Sequence, residues 1–336
     1  MNILTFIITN KIKYSKVMQT EKGFTVIELL VGFSMAFIII ISLLGFMINV
    51  IEIDRKEQAK ATSEQEIQAA LDYIYRDLKQ AVYIYDANGI DAIKNQLPDP
   101  PRGIDRVPIL VFWQRELITD VLSLGTGKDD AFVYSLVVYY LMRDTTVSGS
   151  NWSKIARIGK WQIRDGVLAH NNDATTFICP RYPGKYIKGS SSSPNEYCPS
   201  NGFAPFNLHQ QGTLEQIMNS WKRDDTVAYT VNTLVLVDYI DNTINNAPPK
   251  ICPPNSINPT ITWSQVPPAS FNDTDTGKMT SFYACVDRLH TTAQIFIRGN
   301  ALARLKNHAN INYSTNQKTY FPTASMKVQG RGNLFK

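Results

Sequence analysis

The common catalytic signatures are missing from these 336 residues. There is no G-x-S-x-G, no H-E-x-x-H and no glycine-rich dinucleotide fingerprint, so the familiar nucleophilic, zinc-protease and Rossmann chemistries have no foothold. Histidine is scarce, with four scattered residues, and so is cysteine, with four and no C-x-x-C pair. Gly125-Thr126-Gly127-Lys128 has the glycines and lysine of a phosphate loop, but Asp129 stands where the hydroxyl residue belongs, and a surface turn is the reading. Charged residues are only 19% against 44% hydrophobic, which excludes a wholly disordered or collagen-like chain.

Charge is absent altogether from Leu29 to Ile51, 23 consecutive residues. As a helix this run covers roughly 35 Å, enough for a bilayer core of about 30 Å. It is too long for a cleaved secretory signal, and no small-residue cleavage site follows it, so a retained single span is expected. Lys11, Lys13, Lys16 and Lys22 precede it against Glu21, which predicts a cytoplasmic start and a body across the membrane. The net charge of +5 owes +3 to residues 1–23, a distribution that speaks of membrane orientation and points away from nucleic acid.

One residue does not suit a plain anchor. Glu28 sits at the start of the apolar stretch, where a carboxylate is costly and usually functional. The segment Lys22-Gly23-Phe24-Thr25-Val26-Ile27-Glu28-Leu29-Leu30-Val31 resembles the processing site of type IV pilins and pseudopilins. The resemblance implies a leader over residues 1–23; Met18–Gly23 alone is the more usual leader for the family, so a translation start at Met18 is expected. It implies a cut between Gly23 and Phe24 by a membrane prepilin peptidase, which also methylates the new terminus at Phe24. Glu28 would then serve filament assembly, its carboxylate compensated by a neighbour's terminal ammonium; the bland alternative has it snorkelling toward headgroups.

Past Glu52 the chain becomes charged. Ile67, Leu71, Ile74, Leu78, Ala81/Val82 and Tyr85 recur at three- and four-residue steps, so residues 24–53 and 54–85 are read as the apolar and amphipathic halves of one helix. A turn-rich linker is expected over 86–108 and a β-rich body over 86–336. Strands are predicted at Ile109–Trp113, Phe132–Leu141, Thr233–Tyr239, Phe282–Val286 and Gln294–Arg298, a hairpin at Asp165-Gly166, and a short helix at Leu214–Trp221. Two insertions, 180–206 and the proline-rich 248–268, are expected to be irregular. The fold class is α+β: one long N-terminal helix, membrane-embedded in its first half, packed on a mainly antiparallel sheet with large loop insertions.

All four cysteines fall after residue 178, on the far side of the span, where disulfides persist. Proximity favours Cys179 with Cys198 and Cys252 with Cys285, although the sequence allows three pairings. Asp273 and Asp275, at alternate positions before Gly277, are candidate calcium ligands without the third acidic position or distal glutamate, so no metal or cofactor is expected. Trp113, Trp152, Trp161 and Tyr139-Tyr140 suit either a sugar-stacking platform or, more simply, a core. Residues 288–336 hold eight basic side chains and no acidic one; Arg298, Arg304 and Lys306 are the candidates there for contact with an anionic partner.

The blocks Val111–Leu117, Ser135–Leu141 and Ala156–Val167 are similar to those of the hormogonium polysaccharide secretion pseudopilins of filamentous cyanobacteria. That resemblance implies a non-catalytic minor pseudopilin in a filament that supports polysaccharide export and gliding. Its partners would be the other pseudopilins and the inner-membrane assembly platform; the basic region would meet an acidic face of another pseudopilin, with the exported acidic polysaccharide as the alternative. An adhesion or DNA-uptake minor pilin, or a signal-anchored periplasmic enzyme, are the other readings.

Overall fold

The computed structural model describes residues 23–124, 127–146, 151–168, 179, 185–187, 196–257, 260–306, 311–332 and 334. The chain divides into two units, one through Asp54 and one from Arg55 onward. The expected leader therefore lies outside the described residues, apart from Gly23.

Helix α1 runs Val26–Lys79. In its first part every residue is exposed as far as Arg55, consistent with a sequence that offers no polar face. By length and composition this stretch is fit to cross a membrane. In the second unit the same helix becomes amphipathic. Ala59, Ser63, Ile67, Ala70, Leu71, Ile74 and Leu78 form its buried stripe. Asp77 fastens that stripe to the sheet, accepting from the Tyr139 hydroxyl at 2.6 Å and from Lys160 Nζ at 2.5 Å.

The helix ends earlier than its periodicity predicts. Ala81–Ile84 is strand β1, buried at all four positions, and Tyr85 follows it into the core. The expected linker is also partly ordered: Asp86 caps helix α2 (Ala87–Ile93), accepting from Gly89 N at 2.8 Å, and a 3₁₀ turn follows.

Strands β2 (Ile104–Leu124), β3 (Gly127–Asp144), β4 (Ala156–Arg164) and β5 (Leu234–Ile240) continue the first sheet in the order β1-β2-β3-β4-β5, every pair antiparallel. β2 and β3 form a long hairpin in which Leu124 pairs with Gly127; Gly125 and Thr126 lie outside the described residues. Asp165-Gly166 is not a hairpin turn. β4 ends there, Asp165 N donates to Tyr134 O, and Gly166 is pressed against Pro199 and Tyr186, where a Cβ would sit 2.6 Å from each side chain.

Helix α3 (Leu214–Asn219) has a full capping box between Thr213 and Gln216. Trp113 lies edge-on to Phe203, Phe206 and Trp221, and its Nε1 donates to the Tyr85 hydroxyl at 3.1 Å.

Helix α4 (Asp275–Lys278) follows the proline-rich insertion, which itself contains short strands β6 (Ser256–Ile257), β7 (Thr260–Ile261) and β8 (Ser264–Val266). The insertion is therefore not wholly irregular, since β8 joins a second sheet. That sheet adds β9 (Phe282–Asp287), β10 (Thr292–Arg298) and, after helix α5 (Ala301–Lys306), β11 (Thr323–Gln329), in the order β11-β10-β9-β8. Its inner face, with Phe282, Ala284, Ile295 and Ile297, joins the core. The two sheets meet where Ile240 bridges Gly299 and Asp241 N donates to Arg298 O at 3.0 Å.

Gly277 in α4 has no room for a side chain: a Cβ would lie 1.7 Å from the Phe271 carbonyl oxygen. Gly277→Ala is expected to destabilise the body by about 3 kcal/mol, the upper end for overpacking, because backbone rather than a mobile side chain must move. Calorimetry on the full chain in detergent should show the loss as a lower melting temperature.

Candidate functional site

The helix start carries a local device. Thr25 is the cap residue: its carbonyl accepts the first helical bond, from Leu29 N at 3.1 Å. Glu28, three residues on, reaches back with Oε2 to Thr25 N and Thr25 Oγ1, both at 3.0 Å, while Glu28 N donates to Thr25 Oγ1 at 3.3 Å. This is a reciprocal capping box, which satisfies orphan donors of the first turn and fixes the carboxylate at the helix start. The sequence signal for Thr25 is T-x-x-E before an apolar run, the signature of such a box.

Gly23 and Phe24 precede the box. Phe24 is 85% exposed, and a Cβ at Gly23 would meet nothing within 4 Å. Packing does not require a glycine at 23. Behind the box, large apolar side chains from Val26 to Ile53 point outward on all sides of the helix, an extent of exposed apolar surface that marks a contact with lipid or other helices.

Both expected disulfides form. Cys179 and Cys198 have Cα atoms 5.7 Å apart, and Cys252 and Cys285 have theirs 5.6 Å apart, in the usual span for bridged pairs. Much of the serine-rich insertion between the first pair lies outside the described residues.

Trp113, Trp161, Tyr139 and Tyr140 are buried and belong to the core, so no sugar platform forms from them; Trp152 alone of that set is largely exposed. Burial, with Asp77 beside it, pushes the Tyr139 hydroxyl far above the ordinary phenol range.

The two calcium candidates do not build a site. Asp275 opens α4 with Oδ2 3.0 Å from Arg143 Nη2 and Oδ1 4.0 Å from Lys278, so cations of the chain occupy it. Asp273 is exposed, and among the described residues no group of three or more His, Cys, Asp or Glu is placed to hold a metal.

The basic tract needs a correction. Arg298 is buried rather than presented to a partner: Nε donates to Asp241 Oδ2 at 2.8 Å and Nη2 to Thr280 Oγ1 at 2.7 Å. Arg304 lies over the Tyr239 ring and pairs with Glu66, tying α5 to α1. Arg288 joins Asp86 and Glu215. The one-sided charge count overlooked acidic partners that come from far along the chain. Lys306 remains exposed.

No protein-family model, no curated protein and no solved structure matches the chain significantly.

Proposed function

We propose that this chain is a non-catalytic minor pseudopilin. In this reading it is a structural subunit of a type IV pilus-like or type II secretion-like filament that supports polysaccharide export and gliding motility. It sits in the plasma membrane with its start cytoplasmic and its body periplasmic. A prepilin peptidase releases Phe24 and methylates it, and the mature subunit joins other pseudopilins on an inner-membrane platform.

The observation that carries this reading is the helix start. A glycine that packing does not need, an exposed phenylalanine and, in the first turn, a carboxylate fixed by Thr25 mark the start of a helix with apolar side chains on all sides. Such a helix has to be covered, by lipid before assembly and by parallel neighbours afterwards. A carboxylate at the edge of that cover is tolerable where a cation from the next subunit meets it. The sequence blocks in β2, β3 and β4 give the narrower assignment.

Intact-mass measurement of the protein purified from membranes of its native host is the direct test. The expected species begins at Phe24 and carries one additional methyl group on its amino terminus. A mature protein that retains Gly23, or begins beyond Phe24, is incompatible with this processing.

A further inference from the structure

The outer face of the second sheet carries a cleft of about 480 Å³, well within the size of small-ligand sites. Register explains how it arises. Phe296 on β10 lies opposite Tyr283 on β9 and Ser325 on β11, so all three side chains share this face. Phe296 and Tyr283 stack face to face, with centroids 4.5 Å apart and planes 6° from parallel. One face of the Phe296 ring is thereby taken. The other looks over Ser325, which is small and exposed, and a slot is left where a larger side chain would stand.

The walls are held from outside the sheet. The Cys252–Cys285 disulfide pins the proline-rich loop to this face, and the Tyr283 hydroxyl bonds Ile251 through both its backbone N and O, at 3.3 and 3.2 Å. Pro248 and Pro249 thus form one rim. Tyr313, packed edge-on to Phe321, and the exposed Lys318 line the cleft from the segment before β11. Thr323 and Ser325, both exposed hydroxyl residues, also line it. Ser281 also lines the cleft, 1% exposed, and its Oγ has no hydrogen-bond partner among the described residues. A buried hydroxyl of that kind costs free energy unless something enters to satisfy it.

The geometry points to a saccharide subsite. A free aromatic face takes the C–H edge of a sugar ring, the surrounding hydroxyls exchange hydrogen bonds with ring hydroxyls, and Lys318 at the mouth favours a carboxylate-bearing sugar. Arg298 adds little charge here, because Asp241 neutralises it. An apolar side chain would use the rings but would leave the Ser281 hydroxyl unpaired. The site lies in the body and does not depend on how the helix start is processed, so it goes beyond the function proposed above.

The test uses the full chain in detergent, titrated with an oligosaccharide of neutral hexoses and one containing hexuronic acid, read by saturation-transfer NMR and calorimetry. Wild type should bind both, the acidic one about three-fold more tightly, the size of one exposed ionic contact. Ser325→Trp fills the slot from an exposed strand position and should abolish both, with the melting curve unchanged. Lys318→Glu should keep neutral binding and lose the preference. No binding of either sugar by wild type, undiminished binding by Ser325→Trp, or slot-dependent binding of a proline-rich peptide in place of the sugars would each overturn the assignment.

Discussion

Glu28→Gln is expected to stop this helix from pairing with its neighbours while leaving the helix itself intact. Glutamine completes a capping box as glutamate does, so the hydrogen bonds to Thr25 survive and only the charge is lost. If the carboxylate serves mainly as the cap, Glu28→Gln assembles like wild type and Glu28→Ala loses about 1 kcal/mol at the helix start. If it compensates a neighbour's terminal ammonium, both variants strand that cation in an apolar setting, at about 3–5 kcal/mol per contact. That corresponds to a hundred-fold or greater loss of crosslinked assemblies in membranes. Insertion should be equal or better in both, since a charge is removed from the span. Assembly of Glu28→Gln at wild-type levels would rule out the charge-pairing role.

Arg298→Glu should be the most damaging single change in the body. It would set two carboxylates against each other at a place shielded from water, since Arg298 is 5% exposed and Asp241 is fully buried. Asp241 also accepts from Thr243 N and Oγ1, so its position cannot relax freely. Removing one partner of such a pair costs about 3–5 kcal/mol, a large share of the 5–15 kcal/mol that holds a typical domain together. Lys306→Glu, on the surface, should change stability by less than about 1 kcal/mol. Thermal melting and protease resistance of the full chain distinguish these outcomes. An Arg298→Glu protein that melts like wild type would mean that this ion pair is not enclosed as described.

The contrast shows what a linear reading conveys and what it does not. Arg298 was legible as the last residue of a strand, because it ends a run of β-branched and aromatic side chains. Its partner was not, because Asp241 comes from the far end of β5 and only the meeting of the two sheets brings it near. The helix stripe was read correctly as far as Leu78. It then ran on falsely to Tyr85, since a strand buried on both faces supplies an apolar residue at every step and so satisfies the helical spacing as well. Asn88-Gly89 and Asp165-Gly166 look alike as turn signals. In the first, Asp86 recruits the glycine into a cap; in the second, the glycine makes room for Pro199 and Tyr186. The disulfides were legible from proximity. The cleft was not, because its residues come from three strands and three connecting segments far apart in the chain.

Residues 330–332 have a consequence for how the protein is made. Gly330 N donates to Thr291 O, Arg331 N to Lys79 O and Gly332 N to Ala81 O, so the junction between α1 and β1 is fastened by backbone that follows β11. Synthesis runs the other way: what is fastened emerges early, and the fastener emerges late. These bonds close a loop of nearly the whole body, an entropically costly contact that local hairpins do not need. A nascent chain stalled before Thr323 leaves the edge of β10 without β11 and the end of α1 untied. It must be kept from pairing with other chains during that interval. The edge of β10 and the end of α1 thus stay open until β11 and the backbone just after it have been made.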